Sequence, residues 1–141
     1  MNAGDKETSG IREMRQKAFN ACCFTSEAYY SGTGVHPEAN NPEEFWKIFK
    51  SWKSRIVLSD ELRDDLIRKM DHWIKIRVAA IMEANRRNYY GECAAYIAAY
   101  GEVLESMGKK NAKASLMERF RAEYSRRRAF IDELRHYGMR K

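Results

Sequence analysis

An all-α fold is what this sequence predicts: a compact array of five to six antiparallel helices in one domain spanning residues 1–141. Three observations carry that expectation. Only two prolines, Pro37 and Pro42, occur in 141 residues, and proline is the residue least compatible with a helix interior. Ala, Glu, Lys, Arg, Leu and Met dominate after residue 42, and these are the side chains that lose least freedom in a helix. Large apolar residues recur at steps of three and four, the period of a helix with one buried face. A content of 44% hydrophobic and 12% aromatic residues supplies a core, and 33% charged residues supply a solvated exterior.

Residues 1–8 read as a disordered tail without the apolar core of a secretion signal, and no apolar run approaches the ~18 residues of a membrane span. A cytoplasmic protein without membrane contact is expected. The first helix is predicted from Ser9 to Tyr30, with Ile11, Met14, Ala18 and Cys22 on one face. "SGTGVHPEANN", residues 31–41, collects turn formers and forms the longest loop. A second helix starts at Pro42, capped by Asn41, with Glu43 and Glu44 at the positive end of its dipole. In "FWKIFKSW", Phe45, Ile48, Phe49 and Trp52 fall at i, i+3, i+4 and i+7 and are expected in the core.

After "RIVL", Ser59 caps a third helix whose first turn carries Asp60 and Glu61. Its apolar series is Leu62, Leu66, Met70, Trp73, Ile74, Val78, Ile81 and Met82, which predicts a central strut. "YYGECAAYIAAYGEVLESMG" forms the fourth helix. There Ala94, Ala95, Ala98, Ala99 and Gly101 allow close approach of neighbours, while Tyr90, Ile97 and Leu104 interdigitate. Gly108 ends it, beside Lys109 and Lys110. Asn111 is the expected cap of a fifth helix through Leu116, Phe120 and Tyr124. Ser125 is the expected cap of a sixth through Phe130, Ile131 and Leu134, stopped by Gly138; one continuous helix is the alternative.

Residues 88–138 carry an aromatic entry, alanines at a helix crossing, a glycine at the turn and a second helix. In this respect the segment resembles tetratricopeptide-type helical hairpins. Its "YxxAAxY" helix, "GK" turn and "RRRAFxxEL" helix, in this order, are more closely similar to the C-terminal helical region of prokaryotic proteins that carry SWIM-type zinc fingers. The Cys-x-Cys and Cys-x-His pairs of the finger itself are absent. What the resemblance implies is therefore the helical scaffold, which typically holds other proteins.

Charge is unevenly spread. Residues 109–141 hold 11 basic and 4 acidic residues, whereas residues 1–108 hold 15 basic and 16 acidic. The net charge of +6 thus resides in the last two predicted helices. Arg119, Arg121, Arg126, Arg127, Arg128 and Arg135 are the candidates for contact with nucleic-acid phosphates. Acidic residues at helical spacing, Arg119 with Glu123 and Arg128 with Asp132, offer the competing account of a solvated face laced with ion pairs. Arg127 is expected to be the most exposed of the "RRR" triplet.

No catalytic constellation is legible, and an enzyme is not expected. "SGTG" lacks the Lys-Ser/Thr of a phosphate loop. "ELRH" gives one Glu-x-x-His where a di-iron bundle needs two with further carboxylates, so Glu133 and His136 read as a surface pair. Cys22, Cys23 and Cys93 have no zinc-ligand spacing and read as reduced thiols. No cofactor and no metal are expected. The function that remains is a non-catalytic helical interaction module or complex subunit, docking another protein through Tyr89, Tyr96 and Tyr100 in an exposed groove. The alternative is a nucleic-acid-binding protein using the basic helices of residues 109–141.

Overall fold

The computed structural model describes residues 9–23 and 42–140. The predicted tail, the first helix beyond Cys23 and the loop at 31–41, with Tyr29, Tyr30 and His36, lie outside the described residues. Among the described residues all regular structure is helical. The helices are α1 (Ser9–Cys23), α2 (Pro42–Arg55), α3 (Asp60–Glu83), α4 (Tyr90–Ser106), α5 (Ala112–Glu123) and α6 (Arg128–His136), with a 3-10 turn at Arg87–Tyr89. The described residues of Met1–Met14 and Asp65–Lys141 form one compact unit, and those of Arg15–Asp64 a second.

The second unit is built around an aromatic cluster. Phe19 of α1 is buried, with its ring 5.2 Å from Phe45 and 6.1 Å from Trp46 of α2. Phe49 extends the cluster at 6.2 Å from Phe45, and the Arg15 guanidinium lies 4.6 Å from the Trp46 ring centre. The expected stripe is corrected here: Phe45 and Phe49 are only half-buried, and Ile48 and Trp52 are exposed. The face that meets Phe19 is rotated toward Trp46, because successive residues step about a quarter-turn around a helix.

In the first unit the central element is α4, which corrects the expectation that the third helix would be the strut. Tyr90, Cys93, Ala94, Ala95, Ile97, Ala98, Ala99, Tyr100, Gly101, Glu102 and Leu104 of α4 are all buried. A helix apolar all round is a buried helix, and its small residues let neighbours approach on several sides. A Cβ on Gly101 would lie 2.4 Å from Lys113 Cα, which measures how closely α5 crosses α4. On another side, a Cβ on Gly10 of α1 would lie 2.4 Å from Ala99 N. From α3 only Ile74, Val78, Ile81 and Met82 are fully buried, and Tyr90 and Phe130 bring α6 against α4 with rings 5.7 Å apart.

Helix ends follow local chemistry. Ser59 Oγ accepts the Leu62 N–H at 3.2 Å, as a cap should. Gly108 and Gly138 adopt left-handed φ of 91° and 101°. After α4, Lys109 N donates to Leu104 O at 3.0 Å and Gly108 N to Glu105 O at 2.9 Å; Met139 and Gly138 repeat the pattern after α6. Both glycines therefore satisfy terminal carbonyls at no Cβ penalty. Asn85, φ 52°, plays this part after α3, with Arg86 N donating to Ile81 O at 3.1 Å.

Two expected caps do not form. The Asn111 side chain makes no cap bond, and the backbone N–H of Lys113 is taken instead by Glu105 Oε1 at 3.1 Å. Ser125 lies in the turn between α5 and α6, which are separate helices, and α6 begins after Arg127 without a side-chain cap.

Candidate functional site

Two surfaces of the first unit hold the side chains that could meet a partner. The first is the outer face of α3. Leu66, Met70, Trp73 and Ile76 are 40%, 39%, 49% and 55% exposed, although the first three were expected inside. Their spacing of four, three and three places them in one row, beside a row of half-buried Ile67 and buried Ile74 and Val78. The apolar series read as one stripe is thus two, and α4 covers only one of them. Behind Trp73 stands Tyr96, with ring centres 5.0 Å apart at an interplanar angle of 70°, the edge-to-face arrangement aromatic pairs favour. Burial, then the negative charge of Glu92, raise the Tyr96 phenol above its ordinary value.

The tyrosines named from the sequence do not form one groove. Tyr100 is buried, and its hydroxyl donates to Ile67 O at 3.3 Å; burial, then Asp71, raise its pKa. Tyr89 and Tyr96 are half-buried. The Arg77 guanidinium lies 5.7 Å from the Tyr89 ring centre while Arg77 Nη2 bonds Glu92 at 3.1 Å. Tyr89 therefore packs with a cation of its own chain.

The second surface is arginine-rich, and the structure sorts the named arginines by role. Arg119 reaches across to Asp71 of α3 at 3.6 Å, not to Glu123. Arg121 Nε bonds Glu118 at 2.8 Å, and this partner holds the Glu118 carboxyl below its ordinary value. Arg135 bonds Asp132 at 2.7 Å, so the expected pair of Arg128 with Asp132 is replaced. Arg127, expected to be the most exposed of its triplet, is half-buried. Its Nη1 donates to Asn85 Oδ1 at 2.6 Å and its Nη2 to Met82 O at 3.0 Å. A guanidinium there completes the carbonyl end of α3, where the helix dipole favours a cation.

Arg126 and Arg128 are exposed, and so are Arg86 and Arg87 of the turn that Arg127 grips. Sequence reasoning passed over Arg86 and Arg87 because the approach of the two turns depends on a bond between residues 42 positions apart. The run of two arginines between asparagines at residues 85–88, "NRRN", is the local signal that marks them.

Glu102 is the one buried charged residue among those described, and nothing in the sequence marked it. Its carboxylate accepts the backbone N–H groups of Gly10 at 3.2 Å and Ile11 at 2.8 Å, and Lys113 Nζ at 2.6 Å. It neutralises the positive N-terminal end of α1 and binds that end to α4 and α5. The role is structural.

His136 Nδ1 lies 3.3 Å from Glu133 Oε2 on the surface, the pairing expected of "ELRH". Among the described residues no group of three or more His, Cys, Asp or Glu side chains is placed to hold a metal ion. No described helix is long and apolar enough to cross a membrane.

No family model, no curated protein and no solved structure matches this chain. What the fold of the first unit defines is an all-α scaffold in which the alanine-rich helix α4 is central and α3, α5, α6 and the start of α1 pack against it.

Proposed function

We propose that this chain is a non-catalytic helical module that docks another protein through the outer face of α3. The observation that carries this reading is the exposed row of Leu66, Met70, Trp73 and Ile76. Large apolar side chains grouped on one helix face mark interaction surfaces far more than singly scattered ones do. Their three- and four-residue spacing suits an amphipathic helix of the partner, laid ridge into groove along α3. Trp73 supplies the kind of aromatic anchor that dominates interface energies. Half-buried Tyr96, in edge contact with Trp73, backs that anchor, so one of the three tyrosines expected at the docking surface keeps a supporting part.

A photo-reactive amino acid in place of Met70, in the full chain added to nuclease-treated native lysate, tests the reading. A discrete protein adduct that vanishes with Leu66→Ser and Ile76→Ser, in variants that still fold, is the expected result. Adducts unaltered by those substitutions, or identical to those formed from a probe at exposed Lys110, would reject α3 as the docking face.

A further inference from the structure

A second surface, separate from the apolar row of α3, is assembled by two turns that are distant in sequence. Arg127 bonds both Asn85 and Met82 O, so the turn after α5 abuts the turn after α3. Arg86 and Arg87 on one turn are thereby placed beside Arg126 and Arg128 on the other, all of them exposed. Among the described residues none of these four guanidinium groups makes an ion pair, in contrast to Arg119, Arg121 and Arg135. Residues 83–88 and 123–128 hold five arginines and two glutamates. Of the two acids, Glu123 lies beside the Tyr124 phenol and helps to raise its pKa.

Such an arrangement works against folding. Charges on touching turns lie within the scale of the Debye length, about 8 Å at physiological ionic strength, so their repulsion is incompletely screened. Arg128 also sits in the first turn of α6, where no acidic residue is present and the positive dipole end disfavours a cation. Arg127 has a structural account; Arg126 and Arg128 have none.

We infer that these four arginines form a binding site for the phosphate backbone of nucleic acid. Every cation in the two segments is arginine and none is lysine, and the guanidinium fork meets phosphate oxygens in pairs of hydrogen bonds. Within residues 83–88 and 123–129 the exposed aliphatic or aromatic side chains are only those of Ala84 and Ala129, both small. The surface therefore lacks both the wedge a lipid membrane would take up and the apolar centre a protein interface would use. Phosphate contacts of this kind are independent of base sequence.

Anisotropy titration of the full chain against a fluorescein-labelled random-sequence DNA duplex, and against a single-stranded RNA, tests the site and tells the two backbones apart. Four phosphate contacts predict a log–log salt slope of about −3.6 on duplex, hence an affinity loss of about 150-fold between ~50 and ~200 mM salt. Arg126→Ser with Arg128→Ser halves the slope, to a loss of about 12-fold over the same range, and Arg86→Ser with Arg87→Ser does the same. Arg121→Ser, at an arginine already paired, leaves the slope unchanged.

All five positions are exposed, so the variants keep the fold, which circular dichroism verifies. Absence of binding to both probes at ~50 mM salt, or a slope that ignores the paired-turn variants, overturns the site. So does a stronger preference for polyglutamate or for phosphatidylserine vesicles. Leu66→Ser leaves nucleic-acid binding intact, which keeps the fate of this site distinct from that of the α3 docking face.

Discussion

Replacing Glu102 by glutamine changes one oxygen into an amide group and little else in volume, yet it should be among the most damaging substitutions in the chain. The carboxylate is enclosed, its side chain 1% exposed, while that of Lys113 is 20% exposed. It receives two backbone N–H groups from the start of α1 and the Lys113 ammonium. The substituted amide keeps one acceptor and turns an NH2 donor toward groups that are themselves donors. A hydrogen bond to a charged group contributes about 1.5–3 kcal/mol, and stripping one partner from a buried ion pair costs about 3–5 kcal/mol. Because Lys113 retains some access to water, the expected loss is about 2–4 kcal/mol. For a chain of this size that corresponds to a fall in Tm of about 4–16 °C.

Urea unfolding followed by far-UV circular dichroism measures the loss. Lys113→Met strands the carboxylate instead, and the double variant should cost about 1–2 kcal/mol less than the sum of the singles, the signature of a shared interaction. A loss under about 1 kcal/mol for Glu102→Gln, or strict additivity with Lys113→Met, would refute the assignment of Glu102 as the fastener of α1 to α4 and α5.

Gly101→Ala places a methyl group against the α5 backbone at Lys113 and should destabilise by about 1–3 kcal/mol or more in the same assay, since a backbone cannot rotate aside. Arg127→Ala removes both bonds to the end of α3 and should cost about 1.5–3 kcal/mol, whereas Arg126→Ala and Arg128→Ala should stay within about 0.5 kcal/mol of the parent; equal effects at all three would reject the structural role of Arg127. Burial, then its bond with Glu123, push the Tyr124 phenol from an ordinary 10.0 up to about 12. The folded state thus holds this proton more tightly than the unfolded state, a stabilisation fully present below pH 10 and lost as pH rises through about 12. Spectrophotometric titration of tyrosinate should show a late phase, to which raised Tyr96 and Tyr100 also contribute, that Tyr124→Phe diminishes by one tyrosine at its high-pH end.

Much of the fold was legible because helix limits are set by neighbours in sequence. Pro42, Ser59, Gly108 and Gly138 mark ends through a fixed φ, a hydroxyl cap or a left-handed turn, each reaching only a few residues. Asn111 and Ser125 misled because a cap residue competes with donors and acceptors from other helices, and Glu105 took the N–H that Asn111 was expected to hold. The two candidate surfaces were less legible. The arginine triplet was visible as charge, but not that its middle member is an anchor and its outer members join Arg86 and Arg87.

By itself the sequence determined that the described chain is helical, where most of its helices begin and end, and that its positive charge gathers toward residue 141. Periodicity marks a face as apolar without saying what covers it, so only the tertiary structure decided which stripes are buried. It made the small-residue helix α4 the centre, because neighbours can close on alanine and glycine from several sides, and it left Leu66, Met70, Trp73 and Ile76 of α3 uncovered. It also decided the fate of the charges. Glu102 finds its donors up to 92 residues away and Arg127 its acceptors more than 40 residues away. The physical reason is common to both: a long-range hydrogen bond depends on which backbones pack together, and no local pattern of residues encodes that.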